Sequence, residues 1–260
     1  MAHGVKQLVF ASVAPFHSLS ILRRNAEIRR RFWVMSFAAF IFVSAWMFLV
    51  IGVLPNAIET IFSTVGLGSG KQVGWLPFDL QGAVSFSAKL VALVVGVLLS
   101  PFIIGIFAIP LCTPLANAVD AHLNPNLEFG ETKDWIRQWL LSATVPLIVG
   151  LMGNLLLLSL SFLPLIGSFF GFIAFFIWSP LNLGFAITEN SLDRRGYTFG
   201  SKLSFLKRFI GASWLIGFQA QVSFTLPYLN LVGCPLVVMS GVKTVSDLLK
   251  LEENQSALTE

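Results

Sequence analysis

Charge is scarce in this chain. Asp, Glu, Lys and Arg make up 12% of its 260 residues, where soluble domains carry about a quarter. With 55% hydrophobic residues and a mean hydropathy of +0.80, that shortage excludes a water-soluble globular domain. Cysteine is nearly absent too. Cys112 and Cys234 lie far apart in apolar surroundings, so there is no disulfide framework and both read as buried free thiols. The three histidines, His3, His17 and His122, fall at no metal-ligand spacing. Neither a Gly-x-Ser-x-Gly elbow nor a His-Glu-x-x-His helix occurs. The acidic residues lie in loops and the tail and form no constellation along the chain. The sequence therefore reads as no enzyme, and it asks for neither a metal nor a cofactor.

What is present is long, almost uncharged apolar sequence. Phe32 to Leu54 is a run of about 23 residues, enough to span a bilayer, and it ends at Pro55. Leu90 to Leu111 is a second run of about 22 residues, with Lys89 at its start and Pro101, Gly105 and Pro110 inside it, so a kinked helix is expected. Between them, Gly66 to Lys71 resembles a phosphate loop. Val65 stands where its first glycine belongs and Gln72 where Ser or Thr belongs, which leaves a flexible loop. Trp139 to Ile187 is one long apolar stretch broken at Pro164 and Gly167. Gly167 and Gly171 form a small-xxx-small pair suited to close helix packing. Phe209 to Gly241 repeats the theme, with a first arm of about 18 residues and a second, Leu229 to Met239, of about 11, too short to cross as a helix. The turn from Pro227 to Pro235 would then expose backbone polar groups that lipid cannot satisfy.

Basic residues cluster beside these runs. Lys6, Arg23, Arg24 and Arg29 to Arg31 crowd the N-terminal segment, and Arg194, Arg195, Lys202, Lys207 and Arg208 one later loop. Such clusters mark the cytoplasmic face, which puts both termini inside. They need no nucleic acid to explain them, and lipid headgroups are the plain partners of Arg194 and Arg195. Val5, Leu8, Val9, Val13, Phe16 and Leu19 recur at helical spacing, so an in-plane amphipathic helix is expected, with a break at Pro15. Basic residues follow this stretch, not a small-residue cleavage site, so it does not read as a signal peptide. The reading is one membrane domain over 1–260: an in-plane segment 1–31, two spanning helices in 32–123, hairpins 139–187 and 209–241, and a cytoplasmic tail 242–260.

Several short motifs occur in a fixed order: Ile28-Arg29-Arg30, Thr113-Pro114-Leu115, Leu163-Pro164-Leu165-Ile166-Gly167, Asn190 to Tyr197, and Pro227-Tyr228-Leu229-Asn230-Leu231 followed by Pro235 and Gly241. In this order and spacing the chain resembles the CysZ-type sulfate permease family, which shares its domain with the etoposide-induced membrane proteins. The resemblance implies an all-α integral membrane protein with an amphipathic first helix, two long transmembrane helices and two hairpins that penetrate part of the bilayer. It also implies a homo-oligomer in the bacterial inner membrane, taking up sulfate for cysteine synthesis.

By that resemblance Ile28, Arg29 and Arg30 bind sulfate or a related oxyanion. The family usually has Pro-Gly just before this stretch, where this chain has Ala26 and Glu27. Physical chemistry supports the site independently, since arginine offers a planar fork of donors and a helix N-terminus offers free N–H groups. The same arginines also serve as topology anchors. Gln219, Gln221, Asn154 and Asn182 are candidates for lining a path, with helix–helix hydrogen bonds as the alternative. No carboxylate stands out inside the apolar runs to relay protons, which favours a passive path. The alternative function is a non-transporting membrane protein that scaffolds partners or shapes lipid.

Overall fold

The computed structural model describes residues 2–64, 86, 89, 111–126, 148–150, 152–157, 159, 166–225 and 227–256. Among these residues every regular element is helical: α1 (Ala2–Arg24), α2 (Ala26–Phe48), a π-helical turn (Leu49–Val53), α3 (Leu54–Thr64), α4 (Thr113–Leu123), α5 (Ile166–Asp193), α6 (Phe199–Arg208), α7 (Ile210–Thr225) and α8 (Pro227–Ser256). A shorter apolar helix, Ile148–Leu157, precedes α5. Four helical stretches are long and apolar enough to cross a membrane: Gly4–Arg24, Ala26–Ile58, Phe169–Asp193 and Val232–Asn254. The protein is an all-α, multi-pass integral membrane protein. Nearly all of the second expected span, the loop holding Gly66 to Lys71, and Pro164 lie outside the described residues.

Proline interrupts fewer helices than expected, for a different physical reason each time. Pro15 sits inside an unbroken α1. Its ring removes the N–H that would bond the Ala11 carbonyl one turn back. The Gln219 side-chain amide donates to that carbonyl instead, at 3.1 Å. Pro55 does not end the first span either, because the rod runs on to Thr64. Just before it the helix widens into a π-turn, where the Leu54 N–H reaches back five residues to the Leu49 carbonyl. That extra residue relieves the clash between the proline ring and the preceding turn.

The segment Pro227 to Pro235, expected as a turn, is the opening of α8. Proline suits a first helical position, since the N–H it lacks would have no partner there. The second arm is likewise not about 11 residues long. It continues without a break through the supposed tail, giving a 30-residue helix, about 45 Å in length. Lys243 pairs with Asp247 one turn on, at 2.6 Å to Oδ2, so neither charge stops the helix. Gly167, expected as a break, lies within the first turn of α5.

α8 is the hub. It packs against α1, α2, α4, α5 and α7, burying Val237, Val238, Met239, Val242, Val245 and Leu248. Lipid tails are as apolar as these side chains, so close van der Waals fit holds the helices together in the membrane. The fit is tightest between α5 and α7. A Cβ on Gly217 would lie 1.6 Å from the Pro180 carbonyl oxygen, and one on Gly184 would lie 1.8 Å from that of Ser213. The two backbones touch there, which only glycine permits.

The outer surface is apolar. On α1 the expected stripe of Val5, Leu8, Val9, Val13, Phe16 and Leu19 is one exposed face, while Gln7, Ala11, Ala14 and Ser18 turn inward. On α2, Ile28, Phe32, Ser36, Ala39 and Val43 face the core, and Trp33, Phe37, Ile41 and Phe48 face out. Hydrocarbon is the solvent that such a surface suits.

Candidate functional site

The candidate oxyanion site lies at the corner between α1 and α2. Asn25 makes that corner. Its extended backbone separates the helices, and its side-chain oxygen accepts the N–H groups of Glu27 at 3.0 Å and Ile28 at 3.2 Å. This is an N-cap. It also corrects an expectation. The N–H groups of Glu27, Ile28 and Arg29 at the head of α2 are already bonded, so an anion arriving here meets chiefly guanidinium groups and the helix dipole.

Ile28 is 1% exposed and belongs to the core. Its side chain anchors the corner and leaves the solvent-facing side to its arginine neighbours. Arg29 and Arg30 are exposed beside it. Arg29 reaches back to the Arg23 carbonyl at 3.4 Å, so its guanidinium hooks the end of α1. Arg31 pairs with Glu27 at 2.6 Å and also donates to the Pro114 carbonyl at the start of α4, at 3.1 Å. Glu27, the one acidic residue at the corner among the described residues, is thus engaged by Arg31. Arg23, Arg24, Arg29 and Arg30 leave a strongly cationic, solvent-facing surface.

The four polar positions expected along a path lie in different surroundings. Gln219 satisfies the carbonyl that Pro15 frees. Gln221 is buried, and two residues along a helix places it about 200° around α7 from Gln219, so the two share no wall. Asn154 is 1% exposed, and neither polar atom of its amide has a hydrogen-bond partner among the described residues. Its neighbour Gly153 packs against the Trp178 ring, whose buried indole N–H is also unpartnered. Asn182 is partly buried on α5.

A second polar centre was not expected from the sequence. Asp120, on α4, is fully buried. Its carboxylate accepts from Arg195 at 2.8 Å and from Asn124 at 2.9 Å, and Arg194 stands 3.6 Å from its other oxygen. Arg195 also donates to Ser191, and Ser246 of α8 donates to Asn124. Beside this group, Lys202 of α6 is 2% exposed and bridges Glu189, at 3.1 Å, and Asp193. Arg194 and Arg195 therefore turn inward onto a carboxylate, which corrects their reading as lipid-headgroup contacts. The acidic residues do form a constellation. Glu189 is moreover a buried carboxylate within the apolar helix Phe169–Asp193, which the sequence reading missed. The signal lay in Asp120 and Glu189 themselves, single acids beside apolar sequence.

The lysine triad makes a stability prediction. Lys202→Met strands two carboxylates, one of them buried, and breaking a buried pair costs about 3–5 kcal/mol. Thermal unfolding in detergent is expected to show a large loss for Lys202→Met. The exposed Lys207→Met should stay within about 0.5 kcal/mol of the parent.

The fold is thus a helical membrane protein with a cationic corner beside a buried charge network. The family described as sulfate transporter CysZ/etoposide-induced protein 2.4 matches residues 14–235, and the chain belongs to that family. No curated protein and no solved structure matches the chain.

Proposed function

We propose that this protein is a sulfate permease of the bacterial inner membrane, feeding cysteine synthesis, and that it works as a homo-oligomer in contact with membrane lipid. The observation that carries this reading is the corner: Arg29 and Arg30 face solvent while Arg31 engages the one local acid. Each guanidinium presents a planar fork matched to two oxygens of a tetrahedral anion. Four arginines on one surface attract a dianion, and salt weakens that attraction over about 10 Å at 0.1 M. The helices α5, α7 and α8 would form the route behind it.

Sulfate flux tests this. Radiolabelled sulfate should enter liposomes carrying the purified protein and should not enter protein-free vesicles. Absence of flux, with the protein folded and inserted, would favour the scaffold reading. The position of α8 supports that second reading, because a helix enclosed by five others is a structural hub.

Glu27 offers a finer test. Glu27→Gln releases Arg31 and removes a negative charge from the corner. One exposed charge is worth up to about 1 kcal/mol, so sulfate affinity should rise roughly two- to fivefold. Calorimetric titration reads the change, and an unaltered affinity would place the anion elsewhere.

A further inference from the structure

Arg194 is a buried cation without a hydrogen-bond acceptor. None of its three guanidinium nitrogens makes a hydrogen bond among the described residues, and all three are covered. Its nearest carboxylate oxygen, on Asp120, lies at 3.6 Å, beyond hydrogen-bond reach, while Arg195 and Asn124 fill the other oxygen of that group. Burial pulls the Arg194 pKa down to about 10, more than Asp120 compensates, so the group remains charged at neutral pH. A buried guanidinium with all its donors idle is costly, and such groups in folded proteins answer to an ion, a water or a role in function.

We propose that Arg194, steadied by Arg195 and Asp120, is a second oxyanion station, distinct from Arg29 and Arg30 and occluded in this conformation. The proposal rests on the permease reading for its place in transport, but not for the binding itself. The ligand chemistry is a tetrahedral oxyanion, sulfate or the phosphate of a lipid headgroup.

Three features support it. Arg194, Arg195 and Lys202 are matched by Asp120, Glu189 and Asp193, so the centre is neutral overall, and an anion would bind there through the idle guanidinium donors, more weakly than at the corner. A weaker second site is what conduction requires, since an ion must leave as readily as it enters. Location links the two sites as well. Arg31 touches α4 at Pro114, and Arg195 touches the same helix at Asp120, six residues apart along the chain, which is about 9 Å of helix. Arg194 also stands in a turn that Gly196 completes at a φ of 72°, a left-handed conformation that glycine adopts without strain. Opening there would uncover the guanidinium without unwinding α5 or α6.

The test compares wild type, Arg29→Gln/Arg30→Gln, Arg194→Gln, Arg194→Lys and the triple variant Arg29→Gln/Arg30→Gln/Arg194→Gln. Thermal protection by sodium sulfate over sodium chloride at equal ionic strength is read in detergent, with and without phosphatidylglycerol. Sulfate flux is read in liposomes. Sulfate protection should persist in part in Arg29→Gln/Arg30→Gln and be lost in Arg194→Gln on that background, with flux at least tenfold lower in Arg194→Gln alone. If phosphatidylglycerol protects instead, and only while Arg194 is present, the station stands and its occupant is a headgroup. If Arg194→Gln does not fold, Arg194→Lys decides: it keeps the charge but loses the fork, so folded protein with several-fold weaker protection supports the site. Unchanged protection and flux in either folded variant overturns it while leaving the permease reading intact. Protection that depends on Arg194 in a protein with no flux keeps the station and ends the permease reading. Neither protection nor flux in wild type ends both.

Discussion

Gly217→Leu is expected to yield no folded protein. A Cβ at this position would lie 1.6 Å from the Pro180 carbonyl oxygen and 2.5 Å from the Gly184 nitrogen. Those atoms are backbone, so no side chain can rotate away. The helices α5 and α7 would have to separate, and with them the end of α5 that carries Glu189, Asp193 and the turn to Arg195. Overpacking a well-filled site costs about 1–3 kcal/mol and sometimes more. Here the largest helix–helix contact of the described fold is lost, so the upper end applies. Gel filtration and thermal unfolding in detergent should show aggregate where the parent gives a single melting species. Gly200→Ala is the control. Nothing lies within 4 Å of a Cβ there, and the exchange should be neutral or stabilise by about 0.4–1 kcal/mol. A normally melting Gly217→Leu would mean that α5 and α7 are not in backbone contact.

The prolines show how much of this fold was legible. Runs of apolar residues announced helices long enough to cross a membrane, and the outward stripe on α1 follows from spacing alone. Where those helices stop did not follow. A proline breaks a helix only when nothing else accommodates the carbonyl and the ring. Gln219 serves Ala11 from another helix, more than two hundred residues away. The π-turn before Pro55 and the first-turn position of Pro227 are local, yet both depend on how the chain enters the helix. Local sequence reports the missing donor, not its replacement.

Charge was misread for a related reason. Arg194 and Arg195 look like surface anchors because they sit in a basic loop. Their partner, Asp120, lies some seventy-five residues earlier, and only tertiary packing shows that the loop folds inward. The cationic corner was legible because its members are neighbours in sequence. Even there the chemistry shifted: Asn25 had already taken the backbone donors, and Ile28 had gone to the core. What remains for an anion is the guanidinium pair.

That pair makes the second strong prediction. Replacing Arg29 and Arg30 together by glutamine should weaken sulfate binding by about two orders of magnitude or more. Hydrogen bonds to charged groups contribute roughly 1.5–3 kcal/mol each, and two are removed. The fold should survive, because neither side chain enters the core. The substitution removes one contact, from Arg29 to the Arg23 carbonyl, which is long at 3.4 Å. Insertion should survive as well, with Arg23, Arg24 and Arg31 left to hold the segment at the membrane face. Lysine at both positions should fall between the two, keeping the charge and losing the bidentate fork. Titration calorimetry on the purified proteins measures the affinity, and cysteine accessibility in sealed cells reports insertion. If the glutamine variant binds sulfate as tightly as wild type, the arginines at this corner are anchors alone.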